Sequence, residues 1–306
     1  MSSNLIGSLI WLLFIFLSVF SHMIIKSLTG EVDFVVTLFG RFVYSLPILF
    51  ILAFLARKLL FLQINNWKNI FIRSLFGFVT MIMVFSSLQL IPIGLTTALA
   101  QSSAIYVTLL SPLVLGEKIG LIRWTAVITG LIGVFLMINP IGIIEKTSEL
   151  SSLGLLLAFG SAITHAGLAL ILRKIGKTEH PASTALIHNL ITSIIIIIAI
   201  IVFGTKFYGT PGKYGIEILI TPNFIFYSLI FLGVVGSLVQ YLMAQSYKFA
   251  EATILVTLRY LAIPIAAIFG YLIWNEIPSY NQVIGGLIVI GSCLLITYRE
   301  MLRNQN

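Results

Sequence analysis

The sequence predicts an all-α membrane protein, with ten transmembrane helices folded as two inverted five-helix repeats. Three observations carry this expectation: scarce charge, apolar runs of bilayer length, and an internal match between the two halves. Of 306 residues, 9% are charged and 59% apolar, and the mean hydropathy is +1.09. A soluble domain carries about 25% charge. The apolar residues come in unbroken stretches, such as Leu5 to Ile25 and Ile194 to Phe203, rather than at spaced core positions. Spanning a hydrocarbon core takes about 18 or more nearly uncharged residues.

The first segment, roughly 5–25, lacks the basic leader and small-residue cleavage site of a signal peptide and reads as a span. The second, 34–56, carries Arg41 and Pro47. The third and fourth, 70–90 and 93–115, are joined only by a tight turn at Ile91-Pro92-Ile93-Gly94, so they run antiparallel. A fifth, 121–139, closes the first half. The second half holds 152–172 with His165, 182–203 with His188, then 222–246, 251–274 and 281–298. Before 222–246 lies the longest connector, whose Gly209-Thr210-Pro211-Gly212 marks a surface loop.

A shift of 159 sets Glu117 on Glu276, Gly77 on Gly236 and Gln101 on Tyr260. A shift of 147 sets Lys26 on Arg173 and Arg41 on His188, and the long connector absorbs the difference of 12. The halves divide as 1–150 and 151–306. Because five is odd, two such repeats lie in the bilayer with opposite orientation, an arrangement that places binding sites near the midplane between them.

With the N-terminus cytoplasmic, twelve basic residues (Arg57, Lys58, Lys68, Arg73, Lys118, Arg123, Arg173, Lys174, Lys177, Lys248, Arg299, Arg303) fall in inside loops and tail. Four fall outside: Lys26, Lys146, Lys206 and Lys213. This asymmetry predicts both termini in the cytoplasm of a bacterial-type inner (plasma) membrane. It also accounts for the net charge of +8 without nucleic acid. The single Cys293 permits no intramolecular disulfide and no metal site, and no cofactor is implied.

Ionisable groups within spans are few, and each is a functional hypothesis. Arg41 either snorkels or bonds a backbone carbonyl, or else faces a central cavity and holds an anion. Arg259, followed by Tyr260, lies deeper. Thr253, Thr257 and Tyr260 recur at helical spacing, and Thr97, Gln101 and Thr108 make a related stripe in the fourth span. Histidines fall in the first, sixth and seventh spans (His22, His165, His188); His165 and His188 read as interhelical hydrogen-bond partners, with proton carriage as the alternative. Glu117 and Glu276, ending matching spans, read as loop anchors or caps. Pro47, Pro112 and Pro264 allow kinks. Gly77, Gly233 and Gly236 suit close helix packing. No His-Glu-x-x-His, Gly-x-Ser-x-Gly or phosphate loop is present, so an enzyme is not expected. No carboxylate occupies a mid-span position, which favours exchange or facilitated movement over steep proton-driven accumulation. The candidate substrate-binding residues are Arg259, Tyr260, Arg41, Gln101, Thr257 and His165.

Phe39-Gly40-Arg41-Phe42 with Pro47, Ile91-Pro92-Ile93-Gly94, Leu115-Gly116-Glu117-Lys118-Ile119, and Trp124 with Gly133-Val134 occur in the first half. Ala250-Glu251-Ala252-Thr253, Leu258-Arg259-Tyr260-Leu261 and Trp274-Asn275-Glu276 occur in the second. Together these residues resemble the EamA type of the drug/metabolite transporter superfamily over essentially the whole chain. The Arg-Tyr-Leu and Asn-Glu segments are similar to its S-adenosylmethionine uptake branch. Ser292 and Ile263 depart from the usual glycine and proline. The resemblance implies a secondary transporter that moves an amino-acid-like or S-adenosylmethionine-like metabolite by alternating access through a central cavity. Arg259 or Arg41 would then pair a carboxylate, and Tyr260 would meet a sulfonium or adenine. A lipid-headgroup flippase on the same fold is the alternative and needs a lateral opening; an intramembrane enzyme comes last. The expected partners are a small-molecule substrate and the bilayer, with homo-oligomer formation left open.

Overall fold

The computed structural model describes residues 3–57, 63–115, 121–138, 150–175, 178–249 and 258–303. Its helices are α1 (Ser3–Ser27), α2 in two pieces (Phe34–Val43 and Leu46–Arg57), α3 (Trp67–Leu88) and α4 in two pieces (Ile93–Gln101 and Ser103–Leu115). Then follow α5 (Leu121–Ile138), α6 (Ser152–Ile175), α7 (Pro181–Phe203), α8 (Phe224–Phe249), α9 (Ala262–Trp274) and α10 (Tyr280–Arg303). Six are long and apolar enough to cross a membrane unaided, and Ile93–Val107, Trp124–Ile138 and Ala262–Trp274 are shorter apolar helices. Ile194, Ile198, Ile201 and Phe203 stand exposed along α7, a surface that only hydrocarbon covers without penalty.

The packing follows the twofold relation between repeats. Helix α1 lies on α8 as α6 lies on α3, and α2 with α7, α4 with α9, and α5 with α10 pair across the relation. Single contacts repeat too. A Cβ on Gly236 would strike the Arg41 guanidinium, and one on Gly77 would come 2.8 Å from His188 Cε1. These two contacts exchange when Arg41 is set on His188 and Gly77 on Gly236. In the α5–α10 seam, Gly133 meets Gly285, while Ser292 Oγ donates to the Ala126 carbonyl at 2.5 Å. With the shift of 159 these are mates as well. Ser292, the departure from glycine, therefore supplies a buried hydrogen bond in a seam where the other side has only backbone.

Three helices are broken near mid-membrane. Helix α2 breaks at Tyr44–Ser45, one turn before Pro47, and α9 is preceded by a turn at Tyr260–Leu261, one turn before Pro264. In each case the missing proline N–H leaves a carbonyl four residues back without its helical donor. The Tyr260 carbonyl is taken instead by Ile263 N–H at 3.1 Å. The α4 break differs from expectation: it falls at Ser102, while the backbone runs helical through position 112. Ser102 Oγ donates to the Leu99 carbonyl at 2.6 Å, a local bond that competes with the helical ladder. Ser102 is the repeat mate of Leu261, so both halves are broken at the same depth, one with a proline following the break and one without.

One face carries the long connector. There Asp33, fully buried before α2, accepts from Gly212 N–H at 2.8 Å and the Thr205 hydroxyl at 2.6 Å. Lys213 pairs with Glu31, which holds its ammonium pKa above the ordinary lysine value. The Gly215 N–H holds the Glu217 carboxyl below the usual range. Glu276 ties three elements: Oε1 lies 2.6 Å from Lys26 Nζ, and Oε2 accepts from Ile93 N–H at 2.9 Å, capping the start of α4. Lys26 also donates to the carbonyls of Ile91 at 3.0 Å and Leu88 at 3.3 Å, and lies over the Trp274 ring. Glu276→Gln is expected to keep the cap and lose the ion pair. The cost is ~1–3 kcal/mol, the range for a part-buried charged hydrogen bond. A thermal melt followed by tryptophan fluorescence would show it as a lower midpoint. At the opposite face Glu179 holds the N–H groups of Asn65 and Asn66, and Asn66 caps α3 through Asn69 N–H.

Candidate polar belt at mid-membrane

Across the broken helices runs a band of polar side chains drawn from eight spans. Arg259 stands just before the α9 break, half-buried, with its Nη2 3.0 Å from both ring nitrogens of His165 on α6. A guanidinium only donates, so the imidazole nitrogen that meets it must carry no proton. The bond fixes neutral His165 as the partner and joins the two candidates across 94 residues of sequence. Glu276 does not fold inward to meet Arg259, because Lys26 and Ile93 hold it at the membrane face.

Tyr260, in the turn before α9, and Gln101, which ends the first piece of α4 at the matching break, are both buried. Tyr260 packs with Leu99, Ala98 and Ile105 of α4, so the pairing of α4 with α9 brings both breaks into one cluster. Helices broken at this depth expose backbone donors and carbonyls where a solute can use them. Thr257 lies outside the described residues, as do Thr253, Glu251 and Glu117.

Arg41 occupies the other half of the belt and neither snorkels nor bonds a carbonyl. Its side chain is 1% exposed, and its Nε and Nη1 have no hydrogen-bond partner. Its guanidinium carbon lies 5.5 Å from the centre of the Phe42 ring. His22 of α1 meets the Phe85 ring edge-on, with its Nδ1 unpartnered. His188 is likewise buried beside Phe42, with Nδ1 unpartnered. Elsewhere Thr80 and Thr164 join α3 to α6 at 2.9 Å, and Ser45 joins Asn189 at 3.0 Å.

Arg73 was placed by sequence among the inside-loop cations, and the structure corrects this. With α3 starting at Trp67 behind the Asn66 cap, Arg73 falls two turns inside the helix and is 3% exposed. Its Nη2 donates to Gln240 Oε1 of α8 at 3.5 Å. The capping asparagine before Trp67 was the signal that could have placed it. The carboxylates among the described side chains (Glu31, Asp33, Glu179, Glu217, Glu276) sit in the connectors.

The EamA-like transporter family model matches residues 5–139 and 152–298, one stretch in each half. An S-adenosylmethionine uptake transporter of Rickettsia prowazekii is 26% identical over 70% of this chain, and the match spans 66% of that relative's length, just under two thirds. A pseudopaline exporter of Pseudomonas aeruginosa is 25% identical over 74% of this chain and 73% of its own. A riboflavin transporter of Vibrio cholerae is 27% identical over 69% of this chain and 64% of its own. A solved crystal structure, 18% identical, covers 96% of this chain and 97% of its own with a TM-score of 0.63.

Proposed function

The chain belongs to the EamA-like transporter family, and from that premise we propose that it is a secondary carrier of a small organic metabolite working by alternating access. The single observation that supports this most is the Arg259–His165 contact beside the matching breaks of α4 and α9. In this reading Arg259 receives a carboxylate or phosphate, Tyr260 and Gln101 line the same cavity, and Arg41 faces it from the other repeat. Bidentate geometry favours a planar carboxylate or a phosphate over a lone point charge. The relatives are named for different solutes, S-adenosylmethionine, riboflavin and pseudopaline; the substrate class proposed, amino-acid-like or S-adenosylmethionine-like, rests on the suitability of the Arg259 fork for a carboxylate. The Lys26–Glu276 pair then acts as a latch that holds α1, α4 and α9 together when the long-connector face is closed.

Purified protein in proteoliposomes should take up at least one labelled member of a panel of amino acids, S-adenosylmethionine and riboflavin above protein-free vesicles; uptake of none would sink the proposal. Orientation is part of it, with both termini cytoplasmic. In a Cys293→Ser background, Lys213→Cys should react with an impermeant maleimide on intact cells and Lys68→Cys should not. The reverse pattern would invert the topology.

A lipid-headgroup flippase is favoured by one observation. A mostly apolar cavity of about 450 Å³ lies between the ends of α1, α8 and α9, lined by Phe20, Met23, Leu28, Phe224 and Ile273 together with Glu31. It stands apart from Arg259. Uptake of water-soluble solutes but not scrambling of fluorescent lipid separates the two readings.

A further inference from the structure

We propose that Arg41, Arg73, His188 and Gln240 form a second anion subsite, which takes a carboxylate or phosphate of the carried solute. It deepens the carrier reading by naming the ligand as anion-bearing, and rests on that reading only for what the binding serves. The residues come from four helices that the twofold packing brings together: Arg41 from α2, Arg73 from α3, His188 from α7 and Gln240 from α8. The Arg41 guanidinium lies against Gly236 and Arg73 reaches Gln240, one helical turn further along α8. One turn is about 5.4 Å, so the two side chains meet neighbouring turns of one face of α8. His188 lies on Gly77, one turn after Arg73 on α3, and meets edge-on the Phe42 ring that Arg41 also faces.

What this cluster lacks is as informative as what it holds. The Nε and Nη1 atoms of both arginines and Nδ1 of His188 are buried without hydrogen-bond partners. Leaving such groups unsatisfied is strongly unfavourable, and two buried guanidinium charges on one face of α8 repel each other. A structural arginine would be satisfied by carbonyls or a carboxylate. Gln240 satisfies one nitrogen of Arg73, and the Phe42 ring faces Arg41 without accepting a conventional hydrogen bond. An anion with two or more oxygens would satisfy the remaining donors of both forks at once. Close packing of Arg41 on Gly236 and the bond from Arg73 to Gln240 hold the two guanidinium groups in place for that ligand.

The test reads binding alone, by the thermal midpoint of purified protein in detergent titrated with inorganic phosphate and, in parallel, glutarate, against chloride at matched ionic strength. Wild type should show a saturable rise in midpoint with at least one of the two anions. Arg73→Met should melt no lower than wild type without anion, since it removes an unsatisfied charge, and should raise the half-saturating concentration at least about tenfold. Arg73→Lys keeps the charge without the fork and should bind measurably more weakly. It serves as the deciding variant if Arg73→Met does not fold. A wild type indifferent to both anions, a folded Arg73→Met that melts lower, or half-saturation unchanged in the deciding variant would each overturn the subsite. A metabolite carried normally by protein that ignores both anions would remove the subsite and keep the carrier. Anion binding without any carried metabolite would do the reverse.

Discussion

Arg259→Ala is expected to lower transport efficiency about a hundredfold while the protein still folds and inserts. The side chain makes its contact in a polar belt rather than in a packed seam, so removing it leaves His165 with one lost donor and no cavity in the core. The loss expected is the ~2–4 kcal/mol of a buried charge-assisted contact with the solute. Arg259→Lys should fall between, because the point charge survives and the planar fork does not. His165→Ala should cost less, since it releases Arg259 from its resting partner without removing the fork. Initial rates in proteoliposomes, normalised to reconstituted protein, give the ranking. An Arg259→Ala protein as fast as wild type would place the solute elsewhere.

The second large effect is on stability. Gly285→Ala should lower the unfolding midpoint by several degrees, and its neighbour Gly286→Ala should not. A Cβ on Gly285 would come 2.5 Å from the Gly133 carbonyl and 2.9 Å from Met137 N, both backbone atoms that cannot swing away. At Gly286 the nearest atom is the Met137 sulfur at 3.9 Å, an ordinary contact. Overpacking of this kind costs ~1–3 kcal/mol, and here it must push α5 from α10. Equal melting of the two variants would mean that the seam is looser than described.

The fold was largely legible in the sequence because a bilayer imposes simple rules on length and charge. Apolar runs located the spans, and the odd count of five dictated inversion. Glu117 over Glu276 and Gly77 over Gly236 gave the register in which the paired contacts of Arg41 and His188 were later found. What was not legible came from effects that leave no local signature. Pro47 and Pro264 announce their breaks, whereas no proline follows the α4 break at Ser102, and the bond its hydroxyl makes to Leu99 is also made by Ser161 and Ser237 inside unbroken helices. Arg73 looks like a loop cation until the Asn66 cap moves the helix start, after which it is a buried charge. The pairing of Arg259 with His165 joins spans nine and six, and nothing in either segment alone names the other. Thr257, part of the stripe that first drew attention to Arg259, falls outside the described residues.

The measurement that bears most directly on alternating access uses Ser103, a buried residue at the first position after the α4 break. In a Cys293→Ser background, Ser103→Cys would be treated with a small impermeant methanethiosulfonate from one membrane face at a time, in oriented vesicles. A carrier whose mid-membrane belt opens alternately to each side predicts reaction from both faces, at rates that shift when a transported solute is present. Reaction from neither face, or from one face alone whatever solute is added, would contradict it.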